Sequence, residues 1–321
     1  MPEKRILVTG GAGFIGSNYV AMIMESQQQE VFVLDKLTYA GNLKNLEQFS
    51  AKNNYHFIQG DICDATFIQD LFDKHQFDLV VHFAAESHVD NSITSPVIFS
   101  KSNYNGVQNI LELIRSKVYD RPFFVHISTD EVYGEIFKGS FKENSRFNPS
   151  NPYSSSKAAA EMIVNGYKYS YKLPAIIVRA NNIFGTRQHP EKLIASCCSN
   201  LIKGKKIFLH GSGSQKRSFL FVEDFCRAIY KIIIRGKLNN VYNIGSKFEY
   251  KNRDVVKLIL RKFNKNFKKN VVKIKDRPFN DFRYSIDFKK IKKLSWKPKY
   301  KLEDKIDDII QWYKSNYKQF K

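Results

Sequence analysis

The chain has 321 residues, of which 43% are hydrophobic and 14% aromatic, and its formal net charge is +21. This size and apolar content are typical of a folded protein with two lobes and exclude a disordered chain. No stretch approaches the roughly 20 apolar residues of a membrane helix, and the charged start Met1–Arg5 predicts no signal peptide.

Short β-branched runs alternate with amphipathic segments in the first half of the chain, which is typical of a parallel sheet covered by helices. The predicted strands are Arg5–Thr9, Val31–Asp35, Tyr55–Gln59, Leu79–Phe83, Phe123–Ser128 and Ala175–Arg179. The predicted helices include Phe14–Glu25, Ala65–Lys74, Asn103–Arg115 and Ser154–Tyr171. This order predicts an α/β fold class with a Rossmann-like, doubly wound parallel sheet.

Beyond about residue 180 the pattern becomes mixed, with more Pro, Gly and charged residues and with turns such as His210–Gly213. We therefore expect two domains. Residues 1–180 are predicted to form a cofactor-binding Rossmann domain. Residues 181–321 are predicted to form mainly a smaller α+β substrate-binding lobe, with some later segments returning to the first domain.

A glycine-rich turn follows the first predicted strand. Gly10, Gly13 and Gly16 allow a tight turn, a close approach of the backbone to a pyrophosphate, and close packing of the next helix. The start of that helix presents free N–H groups and positive potential to phosphates. Asp35 ends the second strand and can accept hydrogen bonds from ribose hydroxyl groups. Because its charge repels a 2′-phosphate, the sequence favours NAD over NADP as the cofactor.

Two neighbouring features of this site allow alternatives. Lys36 follows Asp35 and can soften the repulsion of a 2′-phosphate. Asp61 and Ile62 follow the third strand, where they can contact an adenine ring. Asp61 can equally be the N-cap of the following helix.

A second group of residues carries proton chemistry. The fifth strand delivers Thr129, Asp130 and Glu131 to the carboxyl edge of the sheet, where ligands bind in such folds. Tyr153 and Lys157 are four residues apart in a predicted helix and therefore share one face. A nearby ammonium group lowers the pKa of a tyrosine, so we expect Lys157 to make Tyr153 usable as a base near neutral pH.

These motifs resemble the extended short-chain dehydrogenase/reductases, and within them the nucleoside-diphosphate-glucose 4,6-dehydratases. The resemblance runs nearly end to end, through Asp35–Asn42, His82–Asp90, Ser128–Gly134, Pro190–Leu193 and Asp276–Tyr284. It implies an NAD-dependent lyase that works as a homodimer. The helices expected to pair across the dimer axis are Asn103–Arg115 and Ser154–Tyr171.

The two adjacent carboxyl groups distinguish this family from its relatives. Epimerases of the superfamily only oxidise C4 of the sugar and return the hydride, so they need a tyrosine and a hydroxyl group but no acid/base pair. A dehydratase must also remove the C5 proton and expel the C6 hydroxyl group, and Asp130 and Glu131 can divide those tasks. The alternative is that the two acids only cap the turn that follows.

The mechanism that the resemblance implies assigns a task to each residue. Tyr153, assisted by Lys157 and Thr129, deprotonates the sugar 4-hydroxyl group while hydride leaves C4. Glu131 removes the C5 proton, and Asp130 protonates the departing C6 oxygen. Hydride then returns to C6 and gives a 4-keto-6-deoxy sugar, so that NAD is regenerated in each cycle.

The resemblance also implies the remaining contacts. Further cofactor contacts are expected at Phe14, Ile15, Leu37, Thr38, Ala84 and Ala85. Substrate contacts are expected at Ser87, His88, Thr129, Asn182, Lys192, Leu193, Arg217, Asn252, Arg277 and Asn280. The two arginines suit a diphosphate because a guanidinium group can bond two phosphate oxygens at once. Taken alone, His88 can equally be a structural histidine, and either arginine can be a surface residue.

The nucleotide base is predicted from smaller motifs. His88–Ser92 and Pro278–Asp281 resemble the UDP-glucose enzymes that begin UDP-rhamnose synthesis in plants. Asn151–Tyr153 and Ala160–Met162 point the same way, whereas Ala85–His88 and the segment after Asp35 resemble the dTDP-glucose enzymes. The sequence therefore favours UDP-glucose, with dTDP-glucose as the alternative.

The positive charge is concentrated at the C-terminal end. Residues 251–321 contain 23 Lys or Arg and 8 Asp or Glu, a surplus of 15. We interpret most of it as a solvated basic surface, with attraction of an anionic ligand as the alternative and nucleic-acid binding as a weaker one. The four cysteines show neither metal-ligand nor disulfide spacing, which predicts a reducing, cytoplasmic location without a metal site.

Overall fold

The strands of this protein are short and mostly parallel. A computed structural model describes residues 4–26, 28–117 and 119–320. The strands within these ranges are β1 (Lys4–Thr9), β2 (Gln29–Asp35), β3 (Tyr55–Gln59), β4 (Leu79–His82), β5 (Phe123–Thr129), β6 (Ala175–Ala180), β7 (Asn182–Phe184), β8 (Ile207–His210), β9 (Lys216–Phe221), β10 (Val241–Ile244), β11 (Glu249–Lys251) and β12 (Val271–Ile274).

Helices connect and cover these strands. In the same ranges they are α1 (Phe14–Met24), α2 (Ala65–Lys74), α3 (Val89–Thr94), α4 (Pro96–Ser100), α5 (Gly106–Ser116), α6 (Pro152–Tyr171), α7 (Leu193–Ile202), α8 (Val222–Arg235), α9 (Asn252–Lys262), α10 (Phe267–Asn270), α11 (Lys289–Lys292) and α12 (Leu302–Asn316). Single turns of 3-10 helix occupy Leu43–Asn45, Glu47–Phe49, Asp130–Tyr133 and Tyr317–Gln319. None of the helices described is long and apolar enough to cross a membrane.

A seven-stranded sheet forms the centre of the molecule. Its order is β10-β6-β5-β4-β1-β2-β3, and all of its neighbouring strands are parallel. The chain reverses its direction across the sheet between β1 and β4, and ligands of such sheets bind at this switch point. The predicted α/β class and the doubly wound parallel sheet are therefore confirmed.

Alternate residues of the central strands face opposite sides, and both sides are buried. One face carries Val8, Val33, Val81, Val125 and Val178, against α1 and α8. The other carries Leu7, Phe32, Val80, Phe124 and Ile177, against α2, α5 and α6. Full burial of each such side chain contributes about 1.5–3 kcal/mol, which explains why these strands are almost continuously apolar.

The elements predicted for the first half lie within a few residues of those observed. The predicted helix 103–115 differs most, because it begins as a π-helical segment, Lys101–Asn105, before α5. The side chain of Asn103 is buried there. Its amide group accepts from the backbone N–H of Glu86 at 2.8 Å and donates to the carbonyl oxygen of Glu86 at 3.0 Å.

The second half of the chain contributes to two regions. Its strand β10 pairs with β6 at the edge of the central sheet, with Val241 opposite Ile177. The remaining strands form two small sheets, β11-β9-β7 and β12-β8. Together with α7 and the start of α9 they form the other wall of a cleft along the carboxyl ends of the central strands, and α12 packs against α7 and α9.

Candidate active site

A cleft of about 610 Å³ runs along the carboxyl edge of the central sheet. Residues from both halves of the chain line it. Every residue that the sequence placed at the cofactor, the reacting sugar or the nucleotide lies on its wall, with the exception of Leu37. The cleft therefore brings together three groups of side chains that are far apart in sequence.

The glycine-rich turn leaves no room for side chains. Gly10 has a φ of 67°, and a Cβ atom there would lie 2.6 Å from the backbone nitrogen of Ala84. A Cβ atom at Gly16 would overlap the carbonyl oxygen of Gly10. Gly13 is the N-cap of α1, and no side chain of the described residues caps that helix end. The first N–H groups of α1 are thus available to an anion.

Asp35 lies beside this turn at the end of β2. Its carboxylate accepts hydrogen bonds from the backbone N–H groups of Ala12 at 2.9 Å and Leu37 at 2.8 Å. Burial raises the pKa of Asp35 although these hydrogen bonds oppose the shift. The acidic group, the glycine turn and the helix start together fit a dinucleotide cofactor.

Leu37, which was predicted to contact the cofactor, is not on the wall of the cleft, and its partly buried side chain packs against the hydrophobic core. It has a φ of 57°, and its backbone N–H holds one oxygen of Asp35. The other predicted cofactor residues line the cleft: Phe14, Ile15, Lys36, Thr38, Asp61, Ile62, Ala84 and Ala85. Leu37 acts on the site through its backbone, which a residue pattern does not reveal.

The structure distinguishes the alternatives for Asp61. The N-cap of α2 is Asp64, whose side chain accepts from the N–H of Phe67. Asp61 instead pairs with Lys36 at 2.7 Å. The Lys36 ammonium group is therefore neutralised locally, and it offsets less of the negative charge of Asp35.

Thr129 ends β5, and the 3-10 turn Asp130–Tyr133 follows it. The hydroxyl group of Thr129 accepts from the N–H of Glu131 at 3.2 Å, so Thr129 and not the acids caps this turn. The carboxylate of Asp130 is buried and accepts from the amide of Asn181 at 2.7 Å. The alternative that the acids serve only as caps is thereby excluded.

The two carboxyl groups have unusual proton affinities. Burial, and then the neighbouring charge of Glu131, raise the pKa of Asp130 to about 7. Partial burial also raises the pKa of Glu131, while Arg217 and Lys192 oppose that shift. Near neutral pH one of the two groups can therefore hold a proton while the other is ionised.

Tyr153 and Lys157 project from the first turns of α6. This helix begins at Pro152 because Asn151 and Ser154 form a capping box, with a hydrogen bond of 2.9 Å from the Ser154 N–H to the Asn151 side chain. The buried Lys157 donates from Nζ to the carbonyl oxygen of Ile127 at 2.6 Å. Burial lowers the pKa of this lysine to about 8.

The expected effect of Lys157 on Tyr153 is not found. Burial and then Glu131 raise the pKa of Tyr153 well above its usual value, and the hydroxyl group of Thr129 opposes this. The charges that act on the phenol are the two carboxylates, whereas the lysine ammonium group is bonded to the backbone. Tyr153 and Lys157 line one cleft, as their spacing predicts, but the spacing does not reveal that the two carboxylates act on the phenol.

The predicted substrate residues also line the cleft. They are Ser87, His88, Asn182, Lys192, Leu193, Arg217, Asn252, Arg277 and Asn280. Lys192 donates from Nζ to the carbonyl oxygen of Ser87 at 2.7 Å, and the guanidinium group of Arg217 lies 4.5 Å from the ring centre of Tyr284. Nδ1 of His88 is buried and has no hydrogen-bond partner among the described residues. A histidine with a purely structural role would have this atom hydrogen-bonded.

Arg277 has a partner that the sequence does not indicate. Its Nε and Nη2 donate to the two carboxylate oxygens of Asp90 at 2.5 and 3.0 Å. This pair joins α3 to the segment after β12 and so spans the two walls of the cleft. Asn181 and Tyr284 also lie in the cleft and were not predicted, since nothing local marks either residue.

Comparisons with known proteins agree on the type of molecule. Residues 7–309 match the family described as GDP-mannose 4,6 dehydratase. The dTDP-D-glucose 4,6-dehydratase of Mus musculus is 40% identical over 99% of this chain and 91% of its own length. The trifunctional UDP-glucose 4,6-dehydratase/UDP-4-keto-6-deoxy-D-glucose 3,5-epimerase/UDP-4-keto-L-rhamnose-reductase of Arabidopsis thaliana is 40% identical over 98% of this chain and 47% of its own.

A solved structure is also similar throughout. The dTDP-glucose 4,6-dehydratase of Streptomyces venezuelae, with NAD and TYD bound, superimposes with a TM-score of 0.94. It is 37% identical, and the match covers 99% of each chain.

Proposed function

The chain belongs to the GDP-mannose 4,6-dehydratase family, within the extended short-chain dehydrogenase/reductase superfamily, and from this premise we propose that it is an NAD-dependent nucleoside-diphosphate-glucose 4,6-dehydratase. One observation carries the proposal. Asp130 and Glu131 line the same cleft as Thr129, Tyr153 and Lys157. Removal of water from a sugar needs an acid and a base beyond those that oxidise C4.

The residues of the chain divide the reaction into steps. The glycine-rich turn and Asp35 would hold NAD, which would supply the acceptor for the C4 hydride and its donor to C6. Tyr153 takes the proton of the 4-hydroxyl group, with the Thr129 hydroxyl group beside it. The 4-keto group acidifies C5, so that Glu131 removes the C5 proton while Asp130 protonates the leaving C6 oxygen. The products are water and a 4-keto-6-deoxy sugar nucleotide.

The pKa values suit this division. Asp130, with its pKa raised to about 7 by burial and Glu131, is a proton donor at neutral pH. When Asp130 holds its proton, one of the two charges that raise the pKa of Tyr153 is absent. The phenolate form of Tyr153, which accepts the proton of the sugar hydroxyl group, therefore forms more readily while Asp130 is protonated.

For the nucleotide, the proposal names UDP-glucose first. The motifs at His88–Ser92 and Pro278–Asp281 support it, and the Arabidopsis relative has a name that includes this activity. dTDP-glucose is the second candidate because the mouse and Streptomyces relatives are named for it. Within this proposal, residues 1–180 mainly bind the cofactor and residues 181–321 mainly bind the nucleotide sugar.

The test is incubation of the purified protein, without added cofactor, with UDP-glucose and dTDP-glucose in parallel, followed by mass spectrometry. Loss of one water from UDP-glucose supports the full proposal and shows that NAD is retained. Loss mainly from dTDP-glucose selects the second candidate. Conversion to a 4-epimer without loss of water, or no conversion even with NAD supplied, contradicts the dehydratase.

We also propose that the protein works as a homodimer in the cytoplasm. Exposed apolar side chains lie on α4, at Val97 and Ile98, and on α6, at Met162 and Tyr169. A second copy can cover them, and the measurement is the molar mass in solution by light scattering. The four cysteines are free, which fits a reducing compartment.

A further inference from the structure

A buried ion pair lies behind the cleft, outside the residues that line it. Glu161 of α6 is 0% exposed and Arg179 of β6 is 3% exposed. Nε of Arg179 donates to Oε2 of Glu161 at 2.9 Å, and Nη2 donates to the same oxygen at 2.7 Å. The guanidinium group also contacts two aromatic rings, 4.8 Å from the centre of Tyr133 and 4.6 Å from that of Phe147.

Hydrogen bonds extend this pair into a network. Together with Phe147, whose ring contacts Arg179, we call this network the arginine clamp, and its members are Ser128, Tyr133, Glu143, Phe147, Glu161, Arg179 and Asn243. Arg179 donates to the hydroxyl group of Tyr133 and to the carbonyl oxygen of Glu143. Tyr133 in turn donates to the side chain of Asn243 at 2.9 Å. On the other side, the hydroxyl group of Ser128 donates to Glu161 at 2.5 Å.

The members of the clamp are close in sequence to the proposed catalytic residues. Ser128 immediately precedes Thr129, and Tyr133 ends the 3-10 turn that begins with Asp130 and contains Glu131. Glu161 lies on α6 one helical turn after Lys157 and two turns after Tyr153. The clamp therefore ties the element that carries the acid/base pair to the helix that carries the tyrosine and lysine.

Helix α6 and the turn Asp130–Tyr133 differ in how many other contacts hold them in place when the clamp is lost. α6 has 20 residues, a capping box and its own helical hydrogen bonds. The turn Asp130–Tyr133 has only four residues, and besides Tyr133 it is held by the Thr129 cap, by the Asn181 amide on Asp130 and by one backbone hydrogen bond from Asn148 to Val132. Loss of the Tyr133 attachment should consequently displace Asp130 and Glu131 more than Tyr153. Catalytic groups that are misplaced by about 1 Å lose rates by orders of magnitude.

We propose that Arg179 is a positioning residue that, through Tyr133, holds the Asp130–Glu131 turn in register with Tyr153 and Lys157 for the loss of water. This inference rests on the proposed function. It assigns the clamp to the second half of the reaction, because oxidation at C4 uses residues anchored on β5 and α6. Removing the attachment should separate the two half-reactions.

The test is Tyr133→Phe, which removes one hydroxyl group and keeps the ring over Arg179. Single-turnover absorbance of the reduced nicotinamide reports oxidation of C4, and mass spectrometry reports loss of water. We expect loss of water to slow by at least about tenfold, while C4 oxidation changes less than about twofold and reduced cofactor accumulates. The KM for the nucleotide sugar should change little, because neither Tyr133 nor Arg179 is proposed to bind the nucleotide.

Tyr242→Phe is the matched control. Tyr242 is also a buried tyrosine, and its hydroxyl group accepts one hydrogen bond, from the N–H of Lys237 at 2.9 Å. This control should leave the ratio of the two half-reactions unchanged. Phe147→Leu is a second test that weakens the ring contacts with Arg179 and Tyr133 but removes no hydrogen bond of the clamp, and we expect the same selective effect to a smaller degree.

Two results would overturn the inference. One is an equal fall of both half-reactions in Tyr133→Phe and Phe147→Leu, in proportion to their loss of thermal stability. The other is an unchanged ratio of half-reactions in both variants. Failure of the unaltered protein to remove water from either sugar nucleotide instead contradicts the proposed function, so the two failures are distinguishable.

Discussion

Asp130 and Glu131 are neighbours in the chain but have different surroundings. Asp130 is buried and accepts from Asn181, whereas Glu131 is only partly buried and lies in the field of Arg217 and Lys192. Such differences allow two chemically similar groups to act as acid and base. The sequence predicts the pair, because adjacent acids after a strand are visible in it. It does not predict Asn181, whose contact depends on tertiary structure.

The first prediction concerns the two carboxyl groups together. Asp130→Asn with Glu131→Gln keeps both side-chain shapes and removes both proton-transfer groups. We expect C4 oxidation to continue and loss of water to fall by at least about 10²-fold, the usual contribution of one positioned acid or base. Rapid-quench mass spectrometry measures the second step. Normal loss of water in the double variant would mean that neither acid has the proposed role.

The second prediction concerns pH and stability. The folded protein holds the Asp130 proton up to about pH 7, because burial and Glu131 raise this pKa, whereas an unfolded chain releases it near pH ~4. Protonated Asp130 therefore favours the folded state at low pH, and this contribution is lost as the pH rises from about 4 through about 7. Urea unfolding across this range should show a steeper decline for the natural protein than for Asp130→Asn.

At the scale of elements, the predictable features are those that a short stretch of chain determines by itself. The strands β1, β2, β4, β5 and β6 are largely buried on both faces, so their apolar runs stand out, and α2 was predicted to the residue. The π-helical segment Lys101–Asn105 was not predictable, because the Asn103 side chain bonds a backbone segment seventeen residues away. The arginine clamp likewise joins elements that are distant in sequence.

The third prediction concerns the glycine turn. In Gly16→Ala the added Cβ atom overlaps the backbone of Gly10, so the turn must open, and we expect lower thermal stability and purification without NAD. Gly166→Ala is the matched control and should retain the cofactor. Gly166 lies in α6 away from the cleft, and an added Cβ atom there meets no other atom within 4 Å. Retained cofactor in Gly16→Ala, measured by absorbance after denaturation, would contradict this account.

At the scale of the whole molecule, the ion pair of Asp90 and Arg277 connects the two walls of the cleft. The sequence predicts the arginine as a diphosphate ligand, but its partner is 187 residues away in the chain. A carboxylate that occupies the guanidinium fork competes with phosphate oxygens and also repels them. A diphosphate that binds to Arg277 therefore has to displace the carboxylate of Asp90 from the guanidinium group.

The fourth prediction follows from this competition. Asp90→Asn should tighten the binding of UDP several-fold, measured by calorimetry at low salt, and the gain should shrink as salt screens the charges. In an Arg277→Gln background the same change should have a much smaller effect. Weaker binding in Asp90→Asn would show instead that Asp90 orients the arginine for the diphosphate.

The position of β10 at the edge of the central sheet has a consequence for the newly made chain. Strand β6, whose six residues are all buried in the folded protein, precedes its neighbour Val241–Ile244 by about sixty residues of synthesis. During that interval a flat apolar strand edge has no partner, and such edges pair readily with other chains. A ribosome that stalls in this interval releases a fragment that contains Thr129, Tyr153 and Lys157 and is nevertheless prone to aggregate. The vulnerable period in the life of this protein thus falls during its translation, before the last quarter of the chain is made.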